Sequence, residues 1–481
     1  MKTNWLRWVY TIKNHKLFKA RLVAKGYSQR PGIDFHDTWS PVPRMSTERT
    51  ILAFAAVHDL EIEQMDVKCA YLNAPIDSDI YMIPPPGMDL PSGLVLKLKK
   101  GFYGIEQGAR LWHDEFSNSL VSRGFKHLKC DDRVFVRGSP NDDDFVILIA
   151  YVDDILIIGK WSHVNSFKID MAAEYNMTDL GPSRKFIGFD ISRNRTSHQL
   201  TLSQHSFTEK IISTFPDTLY PSQTPYDPKT RLLPNSAQAS PDFILQYQTA
   251  VGNLQHLLQG TRPDIAYSTS IASQFCANPN KSHWEAVVRI YSGTREVGIT
   301  YSGRELNLKA FTDANHGGDI TTNSLIPLRS INGYVFLIAG GAVAWKCQRQ
   351  ARVVPGSFDA EYLALKLASL DSVPLAYLMS EIGCCLYPVP IQIDNQSVIK
   401  ASSAPKHALT KHVNIAYHIV KENYGIKKSN FYLFHPKKIS PIPLQNLSIN
   451  HLSNFAGNYI KSNREPCQIK APPRTHVTRL P

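Results

Sequence analysis

Two adjacent aspartates, Asp153 and Asp154, lie between two apolar runs of strand length, residues 145–150 and 155–158. This pattern predicts a β-hairpin whose turn displays paired carboxylates. Bringing two ionised carboxylates together is costly unless a cation compensates them, and oxygen ligands of this kind favour Mg²⁺. The alternative is a solvated acidic turn, which is the usual setting of an isolated Asp-Asp pair.

A third carboxylate, Asp66, follows a strand-like segment, and an ordinary strand-end aspartate is its alternative interpretation. Upstream, Ser46 is a candidate N-cap for a helix over the following apolar residues. Downstream, the apolar side chains of residues 111–120 recur at helical spacing, and Gly124 marks the end of that helix. This order predicts a mixed α+β sheet on which carboxylates converge from one strand end and one hairpin.

The composition is that of a globular protein, with 481 residues, 43% hydrophobic and 20% charged, which is enough for two to four domains. No uninterrupted apolar stretch reaches the roughly 18 residues of a membrane span, and the first residues lack the pattern of a secretory signal. The seven cysteines contain no C-x-x-C pair, so neither a zinc site nor a disulfide framework is indicated. We therefore expect a soluble, intracellular protein, cytoplasmic or nuclear, without a membrane partner.

The net charge of +12 is unevenly distributed. Residues 1–33 hold eight Lys/Arg and no Asp/Glu, and residues 395–481 hold thirteen against two, so the middle of the chain is mildly acidic. Basic segments favour polyanions through counterion release. Merely solvated lysines are the alternative at the C-terminal end.

Several segments, taken in order, carry a resemblance to a known family. They are residues 19–26 (KARLVAKG), 66–73 (DVKCAYLN), 101–108 (GFYGIEQG), 151–154 (YVDD), 186–191, 261–266 and 283–284. Together they closely resemble the reverse transcriptase of copia-type LTR retrotransposons, from about Trp8 to residue 305. The resemblance implies a right-hand polymerase with fingers, palm and thumb, whose partners are an RNA template, a DNA primer and dNTPs.

The resemblance also implies roles for individual residues. Asp66, Asp153 and Asp154 would be catalytic and would position two Mg²⁺ ions, which activate a primer 3′-hydroxyl and neutralise charge on the incoming triphosphate. Tyr71 corresponds to the side chain that excludes a ribose 2′-hydroxyl, with simple core filling as the alternative. Gln107 corresponds to a residue that contacts the incoming nucleotide.

Three basic residues near the N-terminus, Lys19, Arg21 and Lys25, alternate with apolar residues. They therefore lie on one face of a predicted strand, where they could hold the triphosphate or the template backbone, and a solvated face is the alternative. Residues 186–191 resemble the hairpin that grips the primer terminus. The acidic run at 142–144 is assigned to a solvated turn.

A second set of carboxylates follows residue 305. Asp313 ends a predicted strand, Glu361 lies on a helix, and Asp394 ends the strand 391–393, so the three could share metal ions. The residues around them resemble the ribonuclease H domain of the same polyprotein; the matching segments are 311–314, 330–336, 359–362, 394–397 and 410–413. The resemblance implies an α/β domain that hydrolyses the RNA strand of an RNA–DNA hybrid.

This second site departs from the pattern of the family. Its fourth carboxylate is missing, because Pro443 stands at the nearest matching position. Asn315 and Asn414 replace commonly acidic residues, and Pro374 falls inside an expected helix, where it costs about 3 kcal/mol or kinks the chain. We therefore expect an incomplete metal site with weak or absent hydrolysis.

The predicted organisation has four segments: fingers and palm, truncated at the N-terminus (1–160); remaining palm, primer-grip-like hairpin and thumb or connection (161–305); ribonuclease H-like domain (306–425); and a basic, degenerate tail (426–481). A proline-rich connection is expected over residues 216–242, and the helix before Thr294 is expected to be shortened.

The leading hypothesis is an RNA-directed DNA polymerase with an attached ribonuclease H domain of doubtful activity. One alternative is a decayed, non-catalytic fragment of a retroelement that binds nucleic acid through its basic ends. Another is an unrelated metal-dependent nuclease that uses the second carboxylate set without Asp153. The polymerase hypothesis places the protein in the cytoplasm, in a virus-like particle if the element is active, or in the nucleus.

Overall fold

The computed structural model describes residues 3–403, together with Val420 and residues 429–433. Within the first range the gaps are 14–16, 89, 92, 215–221, 223, 228–229, 231, 294–296, 304, 307, 318–328 and 385–387. The predictions for Asn414, Pro443, the segment 410–413 and the tail after residue 433 lie outside the described residues. So does the predicted shortening at Thr294.

The described part of the chain is an α+β structure, as expected. Its strands are β1 Leu6–Lys13, β2 Leu17–Ala24, β3 Glu61–Val67, β4 Tyr81–Met82, β5 Leu96–Lys97, β6 Lys126–His127, β7 Val134–Arg137, β8 Val146–Tyr151, β9 Asp154–Gly159, β10 Met177–Pro182, β11 Lys185–Phe186, β12 Phe189–Asn194, β13 Gln199–Ser203, β14 Ile299–Ser302, β15 Lys309–Asn315, β16 Ile331–Ile338, β17 Gly341–Arg349, β18 Val389–Ile393 and β19 Ser429–Leu433. Its helices are α1 Met45–Val57, α2 Gly108–Ser122, α3 Trp161–Glu174, α4 His205–Ile212, α5 Pro241–Gly260, α6 Ala266–Ser273, α7 Lys281–Gly293, α8 Ser357–Glu381 and α9 Gln396–Ser403.

A six-stranded sheet with the order β10-β3-β9-β8-β7-β6 forms the centre of the N-terminal half. Strands β8 and β9 are the predicted hairpin, and they are buried almost throughout. One set of alternate side chains, including Ile147 and Leu156, packs against α1. The other set, including Leu148 and Ile157, packs against α2 and α3. Both faces of the sheet are covered, which explains why these strands are continuous apolar runs.

One predicted helix end in the N-terminal half is wrong and one is confirmed. Helix α1 exists as predicted, but it begins at Met45, so the assignment of Ser46 as its N-cap is wrong. Arg44 is the N-cap residue, and its backbone N–H is bound by the carboxylate of Asp131 at 2.9 Å. A carboxylate that is distant in sequence thus replaces a local cap. Gly124 follows the end of α2 with φ +83°, which confirms the predicted stop.

A separate four-stranded sheet, β11-β12-β13-β14, contains the hairpin predicted over residues 186–191. Phe186 pairs with Phe189 across a two-residue turn in which Ile187 and Gly188 have φ +46° and +80°. Positive φ at both central residues matches the right-handed twist of the strands. The hairpin is therefore confirmed, and its role at a primer terminus stays a prediction.

The proline-rich connection is shorter than expected. Pro241 is not part of it, because it is the first residue of α5, where a missing N–H costs nothing. Ser240 caps this helix by accepting a hydrogen bond from the backbone N–H of Phe243. Helices α5, α6 and α7 follow the connection.

The C-terminal half contains a five-stranded sheet with the order β17-β16-β15-β18-β19. The first three strands are antiparallel, whereas β15, β18 and β19 run parallel, and α8 packs on this sheet. Asp313 lies inside β15 rather than at its end, so this detail of the prediction is wrong. Strand β15 continues to Asn315 because its pairing with β16 extends to Ile331.

Helix α8 runs without interruption through Pro374. The proline removes the hydrogen bond to the carbonyl of Leu370, which lies at the exposed surface, so water can satisfy that group. The proline therefore does not end the helix, and its predicted energetic cost stays a prediction. By length and composition α8 is also the one helix in the described ranges that could cross a membrane, and half of its apolar window is buried within the protein.

The two halves share one hydrophobic core that includes residues of α1, β12–β14, the C-terminal sheet and α8. Arg49 of α1 joins them. Its guanidinium donates to the carbonyls of Val343, Gln259 and Gly260 at 2.8, 2.7 and 2.6 Å, and it lies 4.0 Å from the ring centroid of Trp345. Burial lowers the pKa of Arg49 to about 10, which leaves it charged at neutral pH.

Candidate active sites

The structure brings Asp66, Asp153 and Asp154 together at one end of the central sheet. Asp66 of β3 lies directly opposite Asp154 of β9 in the strand register. Asp153 occupies the β8–β9 turn, and its carbonyl accepts a hydrogen bond from the backbone N–H of Val67 at 2.8 Å. All three residues are partly exposed. A strand pair and a tight turn thus hold three carboxylates around one open edge.

The turn that carries Asp153 is strained. Val152 has φ +57°, a conformation that β-branched residues rarely adopt and that tends to occur at functional sites. The buried Trp112 of α2 donates its indole N–H to the carbonyl of Val152 at 2.6 Å. Helix α2 therefore helps to hold the turn in place. The sequence pattern placed Trp112 only on an amphipathic helix, and nothing in that pattern indicates this contact.

The electrostatics of this first site are those of crowded carboxylates. Burial raises the pKa of Asp154, the charges of Asp153 and Asp66 add to that effect, and a hydrogen bond from Gln64 opposes it. Opposite charge nearby stabilises ionised carboxylates, and a divalent cation with oxygen ligands supplies it. The chemistry of these side chains therefore suits a divalent metal ion, but among the described residues only the second carboxylate set below has ligand oxygens that all lie within 4.8 Å of one another.

Tyr71 lies beside this edge. Its ring centroid is 4.9 Å from that of Tyr103, and the guanidinium of Arg21 lies 6.0 Å from the Tyr103 ring. Burial raises the pKa of Tyr71, and the negative charge of Asp153 raises it further. Tyr71 is partly exposed and also packs against the hydrophobic core of the central sheet, so its role in sugar selection stays a prediction.

Two of the three basic residues predicted to bind phosphate lie on β2, and the third follows it. Lys19 and Arg21, two residues apart, share one face of the β1–β2 ribbon. The Arg21 guanidinium lies 6.0 Å from the ring centroid of Tyr103, which packs against Tyr71. Lys25 follows the strand, and its ammonium lies 5.9 Å from the ring centroid of Trp5. The opposite face of the ribbon carries exposed apolar side chains such as Phe18.

Gln107 is 0% exposed, and both ends of its amide have partners. Its oxygen accepts from Gln29 at 3.1 Å, and its NH₂ group donates to the carbonyl of Asp34 at 3.0 Å. In this arrangement Gln107 supports the fold of the N-terminal region and does not present its side chain to an incoming nucleotide. The sequence motif alone gives no sign of this, because burial depends on segments that are distant along the chain.

The second carboxylate set forms a tighter cluster. Asp313 on β15, Glu361 on α8 and Asp394 after β18 have ligand oxygens that all lie within 4.8 Å of one another. Burial raises the pKa of Glu361 to about 10, and the charges of Asp313 and Asp394 contribute. Burial, reinforced by Asp394, raises the pKa of Asp313 to about 6.

This cluster also fits a divalent cation. Glu361 Oε2 is buried and has no hydrogen-bond partner within the described part of the chain, which is the condition of a ligand atom without its ion. Carboxylate oxygens are the ligands that Mg²⁺ and Mn²⁺ prefer. The position expected to lack the fourth carboxylate lies outside the described residues, so the incompleteness of this site stays a prediction.

We expect Mn²⁺ to stabilise this second site even when the first is disabled. In an Asp153→Asn, Asp154→Asn background, the metal should still raise the apparent Tm, because a ligand at 100 times its Kd stabilises the folded state by about 2.7 kcal/mol. Adding Glu361→Gln should abolish the shift, whereas Glu285→Gln on the exposed side of α7 should not. Differential scanning fluorimetry measures it, and a shift that survives Glu361→Gln would contradict metal binding here.

Comparisons with known proteins agree with the motif order. The profile of the family described as "Reverse transcriptase (RNA-dependent DNA polymerase)" matches residues 1–228. A Ty5-1 transposon protein of Saccharomyces cerevisiae is 32% identical over 310 residues, which cover 62% of this chain and 97% of that protein. The retrovirus-related Pol polyprotein from transposon TNT 1-94 of Nicotiana tabacum is 35% identical over 434 residues, or 86% of this chain. The chain belongs to the reverse transcriptase family of copia-type retrotransposons.

The chain spans about a third of the length of the plant relatives that it matches, 32% of the TNT 1-94 polyprotein and 29% of the RE2 polyprotein of Arabidopsis thaliana, with which it is 33% identical. Among solved structures, the foamy viral protease-reverse transcriptase in complex with dsDNA is 13% identical, with a TM-score of 0.48, and the match covers 90% of this chain and 78% of that one.

Proposed function

We propose that the chain is an RNA-directed DNA polymerase that extends a DNA primer on an RNA template by two-metal nucleotidyl transfer. The observation that carries this proposal is the convergence of Asp66, Asp153 and Asp154 on one open edge of the central sheet. Family membership supports the same chemistry.

In this reaction the carboxylates would bind the metal ions, and the neighbouring residues hold the carboxylates in position. Two Mg²⁺ ions held by Asp66, Asp153 and Asp154 would supply the charge that activates a primer 3′-hydroxyl and neutralises the triphosphate. The β3–β9 pairing holds Asp66 and Asp154 at a fixed separation, and the contact from Trp112 holds the turn of Asp153. Fixed ligands lose little freedom at the moment of reaction, which favours catalysis.

The basic residues of the N-terminal ribbon support nucleic-acid partners. Arg21, which shares one face of the β1–β2 ribbon with Lys19, lies near the ring of Tyr103, and Tyr103 packs against Tyr71. This basic face would hold the triphosphate or template phosphates. Lys25, beside Trp5, would contribute to the same positive field. The proposed partners are an RNA template, a DNA primer, dNTPs and the RNA–DNA hybrid that synthesis produces.

Primer extension tests the proposal. Purified protein with Mg²⁺, a poly-RNA template and a complementary DNA primer should incorporate dNTPs into extended products. Salt-sensitive binding of the hybrid without any extension would favour the non-catalytic retroelement fragment instead. Extension by a folded preparation would exclude that alternative.

For the second carboxylate set we propose a ribonuclease H site of weak or absent activity. The cluster of Asp313, Glu361 and Asp394 supports metal binding, whereas no aspartate follows Asp394 in the sequence to supply the expected fourth carboxylate. Cleavage of a labelled RNA strand in a hybrid should therefore be slow or undetectable. Robust cleavage that Asp394→Asn abolishes would contradict this expectation.

Tyr71 provides a separate test of the sugar-selection role. Replacing Tyr71 with Ala removes the ring beside the carboxylate edge, so discrimination between dNTPs and rNTPs should fall by about 10–100-fold in the ratio of kcat/KM values. Single-nucleotide incorporation assays measure kcat/KM for a dNTP and for the matching rNTP. Tyr103→Phe, which keeps the neighbouring ring, is the matched control and should retain discrimination. Unchanged selectivity in Tyr71→Ala would remove Tyr71 from this role.

A further inference from the structure

Gln64 lies behind the first carboxylate site and has no role in the chemistry described so far. It precedes Asp66 by two residues on β3, so both side chains lie on the same face of the strand. The residue is only 7% exposed. Its NH₂ group donates to Asp154 Oδ1 at 3.4 Å, and its oxygen accepts from the hydroxyl of Ser183 at 3.1 Å.

Ser183 determines which way the amide of Gln64 points. An amide has one accepting and one donating end, so an oxygen engaged by the Ser183 hydroxyl leaves the NH₂ group facing Asp154. Ser183 is itself buried, and its backbone N–H donates to the carbonyl of Ile62 at 2.9 Å. The chain reaches this position after a register shift in β10 between Asp179 and Gly181.

The contact engages one particular oxygen of the carboxylate. The NH₂ group of Gln64 binds Asp154 Oδ1, so Oδ2 is the oxygen that this contact leaves available to a metal ion. Ser183, Gln64 and Asp154 thus form a chain of polar contacts that ends at a candidate metal ligand.

We propose that Gln64 is a positioning residue that orients Asp154 for metal binding, with Ser183 as its anchor. This inference rests on the proposed polymerase function, because it names a supporting group of the same site. Groups that orient metal ligands in this way typically contribute 10–100-fold to metal affinity or activity.

The test measures Mn²⁺ binding directly by electron paramagnetic resonance, on the full chain without nucleotides. Relevant sites are those lost in the Asp153→Asn, Asp154→Asn variant. Gln64→Leu, which keeps the bulk and removes both polar contacts, should weaken these sites by about 10-fold or more and raise the Mg²⁺ concentration for half-maximal extension in parallel. Affinity for primer–template should not change. Gln199→Leu, at an exposed strand position, is the control.

Ser183→Ala keeps Gln64 in place and frees only its amide, so it should weaken the same sites by a smaller factor. If Gln64→Leu does not fold, this milder variant carries the test. Unchanged Mn²⁺ affinity in a folded Gln64→Leu protein, or in Ser183→Ala when that is the folded variant, overturns the proposal for Gln64. A wild-type protein that has no Mn²⁺ sites sensitive to Asp153→Asn, Asp154→Asn overturns the polymerase function itself.

Discussion

An Asp153→Asn, Asp154→Asn double variant is expected to lose primer extension. Asparagine keeps the size of each side chain but removes the negative charge that would hold the metal ions. Loss of a single preorganised charge-stabilising group typically costs about 10²–10³-fold in rate, and this variant removes two metal ligands, so the loss should be at least that large. Extension of a labelled DNA primer on poly-RNA with Mg²⁺ measures it.

The chain supplies a matched control in the acidic run at 142–144, of which Asp142 and Asp143 are adjacent aspartates. Both are exposed, and Asp143 forms an ion pair with Lys160 at 2.6 Å. An Asp142→Asn, Asp143→Asn variant should extend the primer as the wild type does. The Asp153/Asp154 variant should also remain folded, because burial and mutual repulsion already raise the pKa of Asp154 and penalise its charge. Retained synthesis in that variant would reject the assigned chemistry.

An Arg49→Met variant is expected to lose substantial stability. Methionine keeps the stem of the side chain but removes the donor from three carbonyls; the bonds to Val343 and Gly260 are buried, and the bond to Gln259 is partly buried. Each orphaned buried acceptor costs about 1–3 kcal/mol, so the loss of two should lower the free energy of unfolding by about 2 kcal/mol or more. Thermal or urea unfolding followed by circular dichroism measures the loss.

Arg49→Lys separates charge from geometry. A lysine keeps the positive charge over Trp345 but lacks the planar fork that reaches several carbonyls at once, so it should restore only part of the stability. The exposed Arg184→Met is the control and should change stability by no more than about 0.5 kcal/mol. An Arg49→Met protein as stable as the wild type would show that the hydrogen bonds of Arg49 do not hold the two halves together.

The local elements were predictable because their signals are local. The apolar runs on either side of Asp153 and Asp154 predicted the β8–β9 hairpin, and the motif order predicted the family. Gly124 predicted the end of α2 because its positive φ satisfies a local steric demand. Predictions that needed a distant partner were less accurate. The N-cap of α1 depends on Asp131, and the end of β15 depends on its pairing with β16.

The sequence by itself determined the fold class, the family and which carboxylates to examine, since periodicity and motif order are written along the chain. The tertiary structure decided the rest: that Asp313, Glu361 and Asp394 cluster, that Gln107 is buried, that Gln64 contacts Asp154, and that Arg49 joins the two halves. Each of these depends on distances between residues that are far apart in sequence. Such distances are set by the packing of helices against sheets, which no local pattern of residues encodes.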